Sequence, residues 1–245
     1  GYGTDGHIWG GEFLIADLEK FSRFSHFDYI PMPGGDMAVN EPWRMALSYL
    51  YKYFGEELNY ESLPFLKGAG EERIALVKNM IVNKINSPLT SGAGRLFDAV
   101  SAILGLCTVS SFDSEAPMRL ESVINSKTDQ YYPFGFSEVI SFSDTLRAII
   151  DDLKLAGIPV VAARFHNTVA QVILAVSLKA REESSINKVI LSGGVFQNKY
   201  LLEKSKGLLT RNKFKVFTNH LVPSNDGGIS LGQLVIASKI KEICA

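Results

Sequence analysis

Apolar positions in the C-terminal part of the chain follow two periods, one helical and one extended. Residues 145–155 place them at helical spacing and stop at Gly157. Residues 160–182 predict one long helix, with Phe165, Val169, Val172, Ile173 and Val176 on a single stripe. The short apolar run "KVIL" at 188–191 predicts a strand, 195–212 a helix, 215–218 a strand and 229–243 a final helix. Helix, strand, helix, strand, helix at this spacing predicts an α/β unit with partly parallel strands. The earlier part is less regular. Residues 7–17 predict a strand bulged at Gly10 and Gly11, and the Pro and Gly of "PMPGGD" (31–36) predict a loop. Residues 41–54 predict a helix with Pro42 in its first turn, 55–91 short helices and loops, 95–104 a helix, and 116–124 a further helical stretch.

The chain has 245 residues, 46% of them hydrophobic, enough for one large core or two smaller ones. Its formal net charge is −1, with no basic stripe, which argues against broad electrostatic binding of nucleic acid. Cys107 and Cys244 stand in unrelated contexts, so neither a disulfide scaffold nor a zinc knuckle is expected, and a reducing, cytoplasmic compartment fits. No bilayer-spanning apolar run and no signal peptide is read.

The candidate chemistry lies at glycine junctions. In "ILSGGVFQN" a strand runs into Gly193 and Gly194 and then a helix, an arrangement that lets backbone approach a ligand or simply makes a tight turn. Asn198, expected in the first helical turns, is placed to meet a sugar or a base, or to sit on the surface. In "SNDGGISLGQ", Asp226 either ligates a metal or caps the helix. Asp98 lies in an otherwise apolar helix. It either faces solvent or takes a partner, a ribose hydroxyl pair or a nearby Arg serving equally. The N-terminal "GYGTDGHIWGGE" is a glycine-rich turn feeding a strand, a phosphate hairpin or an ordinary turn. The four histidines are widely spaced and make no metal site alone. His166 reads as packed or exposed, and His220 can line the cleft of Asp226.

Taken together, "GYGTDGHIWGGE", "PMPGGDMAVNEPWRMA", "SGAGRLFDAVSAILGL", "RFHNTVAQVI", "ILSGGVFQN" and "VPSNDGGISLGQ", in this order, resemble the C-terminal carbamoyltransferase region of the HypF family over nearly the whole chain. That family is related to the TsaD enzymes of tRNA threonylcarbamoylation and to antibiotic O-carbamoyltransferases. The resemblance implies a two-lobed, actin/Hsp70-like (ASKHA) α/β fold with nucleotide and metal in its cleft. Residues 1–95 would end the first lobe and carry a helical insertion, and residues 96–245 would form the second. It implies transfer of a carbamoyl group from carbamoyl-adenylate, made from ATP, to the C-terminal cysteine thiol of HypE, for the cyanide ligand of [NiFe] hydrogenase. On the matching motifs, Gly1, Gly3, Asp98, Gly193, Gly194 and Asn198 correspond to nucleotide contacts. Asp226 corresponds to a catalytic ligand of a divalent iron or zinc ion.

The family's other metal ligands, in a His-rich motif, belong upstream of Gly1, so the sequence reads as part of a longer chain that lacks the start of the first lobe. Where relatives carry a Tyr-Glu-Gly-Gln-type stretch, this chain has Phe112 to Glu115, with Ser114 at the glycine position. A TsaD-like enzyme acting on tRNA, a small-molecule O-carbamoyltransferase and a nucleotide-binding scaffold without chemistry are the alternative readings.

Overall fold

The computed structural model describes residues 1–125 and 127–243, so Cys244 lies outside the described residues. The strands in chain order are β1 (Glu12–Ala16), β2 (Phe21–Phe27), β3 (Ile30–Pro31), β4 (Leu89–Thr90), β5 (Gly135–Phe136), β6 (Val139–Ser141), β7 (Lys188–Leu191) and β8 (Lys215–Thr218). The helices are α1 (Met37–Asn40), α2 (Pro42–Phe54), α3 (Glu71–Val82), α4 (Ala93–Ile103), α5 (Glu115–Ser122), α6 (Ser143–Asp152), α7 (Ile158–Ser184), α8 (Lys199–Arg211) and α9 (Ile229–Ile243). Two compact units result: residues 1–11 with 27–168, and residues 12–26 with 169–245. They interleave along the chain, and residue 95, the expected boundary, falls inside α4.

The first unit is mainly helical. Trp43, Leu47 and Leu50 of α2 and Leu96, Phe97 and Val100 of α4 are all essentially buried. Burying each such side chain contributes roughly 1.5–3 kcal/mol. The N-terminal half of α7 adds Val161 and Phe165, and the Phe165 ring meets Phe97 edge-on at 5.0 Å. Pro42 occupies the first turn of α2, where its missing N–H costs nothing, as its position in the sequence predicts. β3 pairs antiparallel with β4, and β5 with β6.

In the second unit β1 and β2 form an antiparallel hairpin from Glu12↔His26 to Ala16↔Phe21. Its turn is closed by the Asp17 carboxylate, which accepts from the backbone N–H of Glu19 and Lys20 at 2.8 Å each. Nothing in the alternation of "FSRFSHF" singled out β2 in advance. β7 and β8 are parallel, Lys188↔Lys215 through Leu191↔Thr218, with α8 as the crossover. The stripe expected on α7 is present: Val169, Val172, Ile173 and Val176 are buried in the part of the helix from Val169 onward.

Two expectations are corrected. The irregularity of the first strand lies between Phe13 and Leu14, and Gly10 and Gly11 precede it. Gly11 is required by close approach: a Cβ there would stand 2.3 Å from the Ser91 carbonyl oxygen. Second, α7 is long and apolar enough to cross a membrane by length and composition, which the sequence reading missed. Of its most apolar 18-residue window, 67% is buried within the protein, which is the behaviour of a core helix.

Candidate functional site

The second unit carries the Ser192-Gly193-Gly194 and Asn225-Asp226-Gly227 loops. β7 ends at Leu191, and Gly193 turns the chain with φ +107°, a backbone conformation that side chains with a Cβ rarely adopt. No atom lies within 4 Å of where a Cβ would stand on Gly193 or Gly194, so the backbone there is open to an approaching ligand. A short 3₁₀ turn, Gly194–Gln197, intervenes before α8. Asn198 is therefore the N-cap of α8 and not a residue of its first turns: its Oδ1 accepts from the Leu201 N–H at 2.8 Å, and the residue is buried. This corrects the expectation that the helix begins at Val195. The side-chain oxygen is committed to the helix.

The two loops are joined by one backbone hydrogen bond, from Gly193 N–H to the Ser224 carbonyl at 2.8 Å. Asn225, not Asp226, performs the capping role, accepting from the Gly227 N–H at 3.1 Å. Asp226 is exposed, and among the described residues its carboxylate has no hydrogen bond or ion pair. The capping reading of Asp226 is thus replaced by a carboxylate free to take a ligand. Beside these loops, at the carboxyl ends of β7 and β8, lies a cavity of about 310 Å³ bordered by Leu191, Phe196, Thr218, His220, Val222 and Ser224. His220 Nε2 stands 3.2 Å from Thr218 Oγ1. In parallel α/β units ligands bind outside the carboxyl ends of the strands, where this cavity sits.

The first unit carries Gly1, Gly3 and Asp98. The N-terminal segment is a small hairpin: Gly3 N–H donates to His7 O at 2.8 Å and Trp9 N–H to Gly1 O at 2.9 Å. Gly3 has no room for a side chain, since a Cβ would lie 2.0 Å from the Trp9 indole. The hairpin is laid against β4 and the start of α4 by Ile8 N–H to Leu89 O at 2.9 Å and Ala93 N–H to Gly10 O at 3.1 Å.

Asp98 does not face solvent; it is 2% exposed. Arg95, one turn earlier on α4, brings Nη2 to 2.9 Å from Oδ2, an ion pair whose alignment is not that of a hydrogen bond. The sequence allowed for such an arginine, and the structure supplies it. Burial pushes the Asp98 carboxyl up to about 6, with Arg95 acting against that rise. The neighbouring polar atoms Tyr49 Oη on α2 and Ser101 Oγ on α4 are also buried without a hydrogen-bond partner. The α2–α4 seam therefore holds hydrogen-bonding capacity that is unused among the described residues.

His166 is fully buried, its Nδ1 2.7 Å from the Ala162 carbonyl oxygen and its ring edge-on to Phe97 at 5.2 Å. Burial lowers it to about 4, so it is a neutral packing histidine at physiological pH. Cys107 is buried as a free thiol, and burial raises it. Ser114 has φ +64°, the left-handed conformation that a glycine would adopt without strain. The Asp5–Trp9–Tyr29 cluster beside the hairpin was not singled out from the sequence. The alternation of Asp5, His7 and Trp9 was its visible trace, but Tyr29 joins it only through folding.

Among the described residues no group of three His, Cys, Asp or Glu side chains can hold a metal ion. Asp226 supplies one donor, so these residues do not by themselves fit the metal that the resemblance implies.

The family model described as "Carbamoyltransferase, Kae1-like Domain, second subdomain" matches residues 1–233. The chain is 34% identical over 236 residues to the probable carbamoyltransferase HypF of Methanocaldococcus jannaschii, covering 95% of this chain and 31% of that protein. It is 31% identical to the carbamoyltransferase HypF of Synechocystis, covering 100% of this chain and 34% of the relative. A crystal structure of full-length HypF, in a phosphate- and nucleotide-bound form, superposes with a TM-score of 0.89 at 38% identity over 98% of this chain and 32% of that one. The chain thus spans about a third of the length of these relatives. The mixed α/β architecture is of the Kae1-like, ASKHA type. By its match to the family model and its similarity along nearly all its length, the chain belongs to the Kae1-like carbamoyltransferase domain family, as the second subdomain found in HypF proteins.

Proposed function

We propose that this chain forms part of a HypF enzyme that moves a carbamoyl group from carbamoyl-adenylate to the C-terminal cysteine thiol of HypE. The observation that carries the reading is the pair of glycine loops at the carboxyl ends of β7 and β8, open above Gly193 and Gly194 and joined through Ser224 to the loop of Asp226, whose carboxylate has no partner among the described residues.

In this reading the partner's thiolate attacks the carbamoyl carbon. A C–S bond forms, the bond to the phosphate oxygen breaks, and AMP leaves with the electron pair. The chain's own residues bind and orient. The open backbone at Gly193 and Gly194 meets the nucleotide, with the Gly194 N–H as the donor, and Asn198 lies beside it at the N-cap of α8. Gly1 and Gly3 lie by the phosphates in the first unit. Asp98 accepts a ribose hydroxyl through the oxygen that Arg95 leaves without an aligned donor. Asp226 would supply one ligand to a divalent cation, iron or zinc, whose remaining donors would have to come from elsewhere in the enzyme. Holding donor and thiol in attack geometry is itself a large part of such a rate enhancement. The nucleophile belongs to the partner, and buried Cys107 has no part in the transfer.

The test is to incubate the full-length enzyme that contains this chain with ATP, carbamoyl phosphate and HypE, and to weigh HypE intact. The wild type is expected to add one carbamoyl group to the C-terminal cysteine, and Asp226→Ala to add none while still forming carbamoyl-adenylate. Undiminished transfer by Asp226→Ala would remove Asp226 from the chemistry.

A further inference from the structure

We propose that Asp5, Trp9 and Tyr29 form a clamp that fixes the shape of the N-terminal glycine hairpin, and that they are positioning residues for the phosphates of the bound nucleotide. The inference rests on the reading above, in which Gly1 and Gly3 lie by those phosphates.

Glycine-rich backbone is the most expensive kind to order, because it loses the most conformational freedom on folding. A hairpin whose glycines must meet a phosphate needs something else to hold it. Here one carboxylate does much of that. Asp5 Oδ1 accepts from the His7 N–H at 3.1 Å and from Trp9 Nε1 at 2.9 Å, and Asp5 Oδ2 accepts from the Tyr29 hydroxyl. The single Trp9 Nε1–H is shared with the Tyr29 oxygen, 3.0 Å away, so the three side chains close a ring of hydrogen bonds. The indole so fixed is the wall against which Gly3 packs, since a Cβ on Gly3 would overlap it. The His7 ring stands edge-on to Tyr29 at 4.6 Å.

Tyr29 is the anchor to the rest of the first unit. It stands two residues after the end of β2, and its backbone carbonyl accepts from Lys52 on α2, which also pairs with Asp28 at 2.8 Å. The hairpin is thus tied to α2 through side chains, and to β4 and α4 through backbone. Movement of the carboxylate would release the indole, and with it the surface that shapes Gly1 to Gly3.

The sign of the effect separates positioning from charge. Asp5 is an anion close to the proposed place of other anions. By Coulomb's law alone, its removal would strengthen the binding of a polyphosphate. A clamp requires the opposite: its removal weakens ATP and spares adenosine, which has no phosphates to position.

The experiment is titration calorimetry of the purified protein with ATP and with adenosine, for wild type, Asp5→Ala and Tyr29→Phe. Tyr29→Phe keeps the aromatic packing and deletes only the hydroxyl, so it remains informative if Asp5→Ala fails to fold. The clamp predicts that ATP affinity falls about tenfold or more in Asp5→Ala and less in Tyr29→Phe, with adenosine affinity unchanged in both. The double variant is expected to lose little beyond Asp5→Ala, because both deletions break one ring. Unchanged or tighter ATP binding in both variants overturns the clamp, as does parallel weakening of ATP and adenosine. If wild-type protein binds ATP no better than adenosine, the phosphate assignment of the hairpin fails first, and the clamp with it.

Discussion

Replacing Asp98 by asparagine is expected to stabilise the protein at neutral pH. A carboxyl that is 2% exposed and raised from 3.8 to about 6 is held in its charged form at a cost. The folded state keeps this proton more tightly than the unfolded chain does. Stability therefore falls as pH rises from about 4 through about 6, and levels off above that. At 1.36 kcal/mol per pKa unit, ionised Asp98 costs about 3 kcal/mol at pH 7.5 and about half that at pH 5. Asparagine has nearly the same shape and does not ionise. Its gain is reduced by what Arg95 loses, but the Arg95 side chain is 19% exposed and keeps some access to water. A net gain of about 1–3 kcal/mol at pH 7.5, shrinking towards pH 5, is the expected balance. The assay is urea unfolding of wild type and Asp98→Asn at both pH values. Equal stabilities at pH 7.5, or a gap that widens as the pH falls, would refute the burial argument. A residue that costs stability and is still present is one that binding can explain; the same variant is expected to bind nucleotide more weakly.

Other outcomes follow from the same geometry. Asp226→Ala is expected to leave the urea midpoint within about 0.5 kcal/mol of wild type, because the carboxylate is exposed and unpaired, so its loss of transfer would not be a folding defect. Asn198→Ala removes the cap of α8 and leaves the Leu201 N–H without its side-chain acceptor; it is expected to cost about 1 kcal/mol in chemical denaturation. Ser114→Gly relieves a left-handed backbone and is expected to gain about 0.5–1 kcal/mol, read as a small rise in melting temperature.

The helices and the β7–α8–β8 crossover were legible because their burial is one-sided. The stripe of α7 and the first-turn Pro42 of α2 are local patterns that tertiary contacts only confirm. β2 was not legible, because "FSRFSHF" mixes aromatic and polar residues without a clean alternation. The start of α8 was misplaced by one 3₁₀ turn, since "GVFQ" has helical content but only Asn198 carries a capping side chain. Asp226 and Asn225 are neighbours of similar capping propensity, and which of them caps is decided by the backbone. Asp98 could be recognised as needing a partner; its near-complete burial depends on α2, far away in sequence. The Asp5 clamp needed Tyr29, twenty-four residues on, and no period links the two.

Amide hydrogen exchange with and without ATP tests most directly whether the glycine junctions are the nucleotide machinery of this carbamoyltransferase subdomain. The account predicts slowed exchange on ATP addition in residues 1–9, 192–198 and 224–228, with the surface of α3 unchanged. Protection confined to other segments, or none at saturating ATP, would contradict it.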